Sequence, residues 1–163
     1  MKITIRDAQE NDLKNIAQIY VYSWKKAFSK FLLPSTINKL NFEEKEIYLK
    51  SILDNNGNIF IAENIKNKEI GGYIIYEKIH NKSIEIISFY ISPVYTKYNI
   101  GGQLLNHLKI YCSKNYINVV ILWTFKNNID AIAFYKNLGF YETGLQRESK
   151  IELGQIEVQY ILK

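Results

Sequence analysis

The chain has 163 residues, enough for one domain with a substantial core. Its 47% hydrophobic and 23% charged residues exclude a disordered or fibrous protein, and no apolar run approaches a membrane span. The net charge of +5 is spread along the chain without an aromatic–basic motif, so it suits an anionic small molecule better than nucleic acid.

Lys2 to Arg6 alternates, with Ile3 and Ile5 on one face, and predicts a first strand. The stretch MKITIRDAQENDLKN has no apolar segment of the kind a signal peptide carries, so none is expected, and Cys112 is the only cysteine, so no internal disulfide is expected and the cytoplasm is the default compartment. Asn11 or Asp12 is placed to cap a helix carrying Leu13, Ile16, Ala17, Tyr20, Trp24 and Phe28 at helical spacing. Its continuation runs into Pro34. A second helix covers about Glu43 to Leu53, and Asn55 to Asn58 reads as a turn. Three strands with short polar connections follow, Ile59–Glu63, Ile70–Ile79 and Ser83–Ser92, and predict antiparallel neighbours. Gly71 and Gly72 open the second of these, where a bulge or close approach is expected. A helix from Gly101 to about Ser113 leads to Ile117–Thr124, apolar enough to be a central strand buried on both faces. Strand, helix and strand in succession predict a parallel pair. A helix from Asn128 to Leu138, ended by Gly139, precedes a final antiparallel pair, Phe140–Leu145 and Gln155–Leu162.

Two stretches carry chemistry. Phe89 to Leu105, FYISPVYTKYNIGGQLL, reads as a strand stopped by Pro93, a turn-prone loop and a helix start. A loop feeding a helix N-terminus aims free N–H groups at one spot with the dipole behind them, which suits a phosphate. Gly101 and Gly102 would let a ligand approach the backbone. An ordinary β–α turn without a ligand is the other reading. The second stretch is Asn127 to Phe140, NNIDAIAFYKNLGF.

Both stretches resemble the GNAT N-acetyltransferase superfamily. Its acyl-CoA loop usually reads Arg/Gln-x-x-Gly-x-Gly/Ala after a strand ending in Val-x-Pro. Here Ile91-Ser92-Pro93 ends the strand and Thr96 to Gly101 fills the loop, with Thr96 at the Arg/Gln position and Asn99 at the first glycine. Asparagine is the mildest such replacement, because it tolerates left-handed backbone. The family's Asn-x-x-Ala-x-x-Phe-Tyr-x-x-x-Gly-Phe is matched without departure by Asn128, Ala131, Phe134, Tyr135, Gly139 and Phe140. The shared motifs span about Ser83 to Leu145, and the flanking segments look like one bacterial branch of uncharacterised substrate.

The resemblance implies one mixed α/β domain over residues 1–163: a splayed, mostly antiparallel sheet with helices on both faces. It implies acetyl transfer from acetyl-CoA to a primary amine, by direct attack in a ternary complex. The backbone of Phe89 and Ile91 would pair with the pantetheine. The N–H groups of Lys97, Tyr98, Asn99, Ile100, Gly101 and Gly102 would hold the pyrophosphate, and Asn128 would bind through its amide. Tyr135 would protonate the leaving thiolate; the competing reading is a tyrosine that merely packs. Glu85 is the first candidate for the base, placed by simple alternation on the face of Ile87, Phe89 and Ile91; a solvated strand-end carboxylate is the alternative. His80 and His107 are further candidates for the base, and Cys112 is read as a small helix residue.

The resemblance also implies an acceptor pocket walled by the first helix pair and by the turn between the last two strands, which nominates Trp24, Phe28 and Phe31, with Arg147 and Glu148 at that turn, although Trp24 also fits the core. No cluster has metal-ligand spacing, so no metal is implied. The acceptor, a small amine or a peptide N-terminus, is open. A catalytically silent CoA-binding or regulatory module is the alternative function, and a homodimer is among the assemblies the resemblance allows.

Overall fold

The N-terminal alternation forms β1 (Ile3–Asp7), in a computed structural model that describes residues 2–55 and 57–163. A single 3-10 turn follows, and then α1 (Leu13–Phe28), whose buried stripe is Leu13, Ile16, Ala17, Val21, Trp24 and Phe28. Asp12 occupies the N-cap but makes no cap bond into α1. Its carboxylate instead receives Arg6 at 2.7 Å and the Gln9 N–H at 2.7 Å. Burial works against that charge, but the Arg6 guanidinium and the Gln9 N–H outweigh it and hold the Asp12 carboxyl below its usual range.

Pro34 does not end a helix, as a stop signal would. It opens the short helix α2 (Pro34–Asn38), where a missing N–H costs nothing because the first-turn donors have no partners anyway. Next comes α3 (Phe42–Asp54), capped by the Asn41 side chain on the Glu43 N–H. The turn expected at Asn55–Asn58 includes Asn56, which lies outside the described residues.

The remaining strands are β2 (Asn58–Asn64), β3 (Ile70–His80), β4 (Ser83–Ile91), β5 (Val119–Phe125), β6 (Tyr141–Glu148) and β7 (Ile156–Leu162). They form one seven-stranded sheet in the order β1-β2-β3-β4-β5-β7-β6. Among the described residues only β4 and β5 run parallel, and the helix between them is α4 (Ile100–Lys114). Between β5 and β6 lies α5 (Ile129–Asn137). This is the mixed, mostly antiparallel sheet that the sequence predicts.

Two apolar layers hold the sheet. On one face α4 packs Ile100, Leu104, Leu105 and Leu108 against Ile74, Ile84, Ile86 and Phe89. On the other, Leu13, Ile16 and Leu49 from α1 and α3 meet Ile61, Tyr73 and Ile75. Ile74, Ile75 and Ile84 are wholly enclosed, each contributing about 1.5–3 kcal/mol by burial. A third cluster of Trp24, Phe28, Leu32 and Phe125 closes the end of the sheet beside α1.

Both expectations for Gly71 and Gly72 are met. The register shifts between Ala62 and Glu63, which makes Gly71 the extra residue of a bulge. A Cβ on Gly72 would lie 2.9 Å from the Tyr90 carbonyl oxygen, so backbone approach forbids a side chain there.

β4 departs from simple alternation. Ser88 faces Ile75 but Ile86 faces Tyr76, leaving Ile87 as the extra residue of a bulge. Ile84, Ile86, Phe89 and Ile91 therefore share the α4 face. Glu85, Ser88 and Tyr90 lie on the opposite face, with Ile75 and Tyr73. The expected common face for Glu85, Phe89 and Ile91 is thus corrected: one inserted residue inverts the pattern.

Candidate active site

The parallel pairing of β4 with β5 covers only Ser83–Ile86 against Val119–Leu122. Beyond Ile86 the two strands part, and a cleft of about 690 Å³ runs through the gap. The Ser92 N–H donates to the Gly71 carbonyl at 2.9 Å. Polar groups in an antiparallel ladder alternate sides, so those of Phe89 and Ile91, odd steps from Ser92, point away from β3 and into the gap. An unpaired strand edge thus lines the cleft.

At one end stands the start of α4. The loop before it is not irregular, as its turn-rich sequence suggests, but a 3-10 helix over Pro93–Tyr98. Its Tyr95 is buried and donates from its hydroxyl to Glu69, which pins the loop to the residue just before β3. Asn99 has φ 51° and ψ 35°, the left-handed backbone anticipated for it. Its side chain caps nothing, so the first N–H groups of α4 have no capping acceptor. Asn99, Ile100, Gly101 and Gly102 line the cleft; the side chains of Lys97 and Tyr98 are exposed outside it. Gly101 has a reason the sequence did not reveal: a Cβ there would lie 2.5 Å from Phe134 Cζ. It is glycine because α4 and α5 touch at that point.

Along the α4 face of the gap lies α5. Asn128 is its N-cap, accepting the Ala131 N–H on Oδ1 at 3.3 Å, which leaves the side-chain NH₂ free at the cleft. Tyr135 packs against Phe134, Phe140 and Phe89, with ring centroids 5.5, 5.9 and 6.3 Å away. Burial pushes its phenol up to about 12.

The other end of the cleft lies on the α1 face. Trp24 and Phe28 line it although both are core residues, 4% and 6% exposed. Phe31 does not reach it and packs behind, against Phe28 and Phe125 at 5.6 Å each. Glu85 does reach it. Its pKa is raised, first by burial and then by Glu77 and Glu157, against the opposing pull of Arg147. Arg147 stacks 4.2 Å from the Trp123 ring and binds Glu157 at 2.7 Å.

Trp123, Glu157, Ser23 and Tyr90 line this end and were missed in the sequence. They come from four separate elements, and no local pattern joins them. Of the other candidates, His107 packs edge-on to Phe60 at 4.6 Å and His80 ends β3; neither lines the cleft. Glu148 accepts the Gly154 N–H at 3.1 Å in the last turn. Cys112 is buried on the inner face of α4, its thiol pushed up to about 11 by burial.

Fold and site together define an α/β protein whose parted sheet carries a cleft from a helix start to an aromatic, charged mouth. Residues 19–140 match the model of the acetyltransferase (GNAT) family, and the chain belongs to that family. It is 23% identical over 138 residues to the uncharacterised N-acetyltransferase YuaI of Bacillus subtilis, covering 82% of this chain and 78% of that protein. An uncharacterised N-acetyltransferase of Methanocaldococcus jannaschii is 26% identical over 147 residues, which cover 85% of this chain but only 61% of that longer protein. Among solved structures, the PaiA N-acetyltransferase of Thermoplasma acidophilum, in complex with coenzyme A, has the same fold with a TM-score of 0.78 and 23% identity over 98% of each chain. No helix among the described residues is long and apolar enough to cross a membrane.

Proposed function

We propose that this acetyltransferase moves an acetyl group from acetyl-CoA to a primary amine by direct attack in a ternary complex. The observation that carries the reading is the parting of β4 and β5 beside the uncapped start of α4. The unpaired edge at Phe89 and Ile91 fits the amides of a pantetheine arm. The free N–H groups from Asn99 to Gly102 fit a pyrophosphate, with the α4 dipole behind them. Lys97 and Tyr98 contribute backbone only in this reading, since neither residue's side chain lines the cleft. The free NH₂ of Asn128 is the remaining polar contact.

Acetyl-CoA supplies a thioester whose carbonyl carbon accepts the amine. As the N–C bond forms, negative charge grows on the carbonyl oxygen, and the Ile91 N–H is the donor for it, worth ~3 kcal/mol by comparison with oxyanion-hole donors. The C–S bond then breaks, and Tyr135, protonated throughout the neutral range, gives its proton to the sulfur. The amine's own proton leaves toward Glu85, whose raised pKa makes it a better base than a solvated carboxylate. Trp24 and Phe28 wall the acceptor; Phe31 supports Phe28 from behind.

The test is free-thiol release from acetyl-CoA against polyamines, amino acids, aminoglycosides and short peptides. Release dependent on one acceptor class supports the reading. Calorimetric binding of CoA with no release on any amine supports the catalytically silent module instead.

A further inference from the structure

A second groove, of about 390 Å³, opens between α3 and the β4 bulge and joins the cleft through the shared walls Tyr20, Ile87, Ser88 and Ile151. Lys45 lines it from the first turn of α3. Its Nζ lies 3.7 Å from the Tyr20 ring centroid and 4.2 Å from that of Tyr48. None of the ion pairs among the described residues includes Lys45. Glu44 lines the same groove, but its carboxylate does not come within ion-pair distance, and Lys39 adds a second cation.

We propose that this groove is the acceptor's second subsite, where Lys45 binds an acidic group, carboxylate or phosphate, carried by the same molecule as the amine. The inference rests on the acetyl-transfer reading and names its substrate class: amines bearing an acid, rather than polyamines.

Three features carry it. An ammonium half withdrawn from water without a carboxylate is expensive unless a ligand completes it. Two tyrosine faces hold the cation by its quadrupole attraction but leave its hydrogen-bond donors unspent. Ser88, 8% exposed, stands at the junction of groove and cleft, so a molecule anchored at Lys45 reaches toward the β4 bulge and Glu85. Burial also pushes the Lys45 ammonium down to about 8, a shift that an anion would reverse.

The experiment compares matched acceptors that keep the amine and differ in the acid. Amino acids are paired with their carboxamides and phosphoethanolamine with ethanolamine, using the intact chain and its Lys45→Gln and Lys45→Arg variants. In the parent, one acidic member exceeds its neutral partner at least about tenfold in kcat/KM, through KM. The pair that shows the difference tells carboxylate from phosphate. Lys45→Gln brings that ratio to within about twofold, and Lys45→Arg keeps most of it. Calorimetry with N-acetyl amino acids, their carboxamides and N-acetyl phosphoethanolamine, in the presence of CoA, reads the same ratio without turnover. Failure of acetyl transfer itself therefore shows separately, as thiol release from no amine. Equal handling of acidic and neutral partners by the parent, or a preference that survives Lys45→Gln, overturns the proposal.

Discussion

Tyr135→Phe separates chemistry from packing more cleanly than any other single change at this site. The ring sits among Phe89, Phe134 and Phe140, and the substitution leaves that packing in place. Burial alone accounts for the raised phenol, and no hydrogen bond from the hydroxyl to protein contributes. Removing the oxygen should therefore change stability by no more than about 0.5 kcal/mol. A positioned general acid contributes about 10²–10⁴ in rate, which is about 2.7–5.5 kcal/mol at the transition state. The variant should lose that factor in kcat, with little change in KM for acetyl-CoA and a superimposable thermal melt. The pH profile adds a second reading. The acid form is the working form and the folded pKa is raised to about 12, so Tyr135 stays protonated through pH 10 and gives the parent no alkaline fall in that range. Thiol release followed from pH 6 to 10 measures both. An unchanged kcat would refute the general-acid role, and an alkaline limb centred near 10 that vanishes in the variant would refute the burial argument.

Asn128 caps α5 and, in the proposed function, also binds CoA, two duties that different substitutions divide. Serine keeps an oxygen for the Ala131 N–H, so Asn128→Ser should melt near the parent while Asn128→Ala loses about 0.5–2 kcal/mol; both should bind CoA more weakly in calorimetry, and undiminished binding by the serine variant would remove the amide from the site. Gly101→Val places a Cβ 2.5 Å from Phe134 Cζ and should cost about 1–3 kcal/mol in denaturant melts, partly restored by Phe134→Leu; a melt equal to the parent's would contradict the contact. Asp12→Asn should lose about 1–3 kcal/mol at pH 7 by weakening the bonds from Arg6 and Gln9. Asp12 has a depressed folded pKa, so its contribution is present above the unfolded value near 3.9 and is lost as pH falls through the folded one. The gap between parent and variant should close in melts below about pH 4, and a gap unchanged down to pH 2 would contradict the assignment.

Much of this was legible because the signals are local. The unbroken Asn128-to-Phe140 pattern marks both the cap and the aromatic anchors of α5. Asn99 in place of a glycine announces left-handed backbone, and φ is 51°. The strand order around β4 and β5 follows from a strand, a helix and an apolar strand in succession. What failed was non-local or unpunctuated. Ile87 is the extra residue of a bulge, yet nothing in SIEIISFYI breaks the alternation, and without the β3 partner the inserted position is invisible. Gly101 looks like room for a ligand until Phe134, 33 positions on, is seen against it. Pro34 carries the same letter as a stop or a start, and only the extended Leu33 before it decides that it begins a helix. The α1 end of the cleft joins Ser23, Tyr90, Trp123 and Glu157, which no spacing rule connects.

In the proposed mechanism the bulge at Ile87 would also decide how acid and base are divided. Had β4 alternated regularly, Glu85 would share a face with Phe89, and both proton-handling groups would crowd the α4 side of the gap. With the inserted residue, Glu85 joins Ser88 and Tyr90 on the α1 face, beside Trp123, Arg147 and Glu157. Tyr135 remains on the α4 face with Phe89. Direct attack is compatible with that separation, because the amine nitrogen and the departing sulfur are separate substituents of the tetrahedral carbon, and each exchanges its proton at its own position. A base on the acceptor's side and an acid on the sulfur's side need not compete for one proton. The β4–β5 pairing stops at Ile86, next to the inserted residue, so the bulge adjoins the open edge at Phe89 and Ile91 and leaves the Glu85 carboxylate and the Tyr135 phenol on opposite faces of β4.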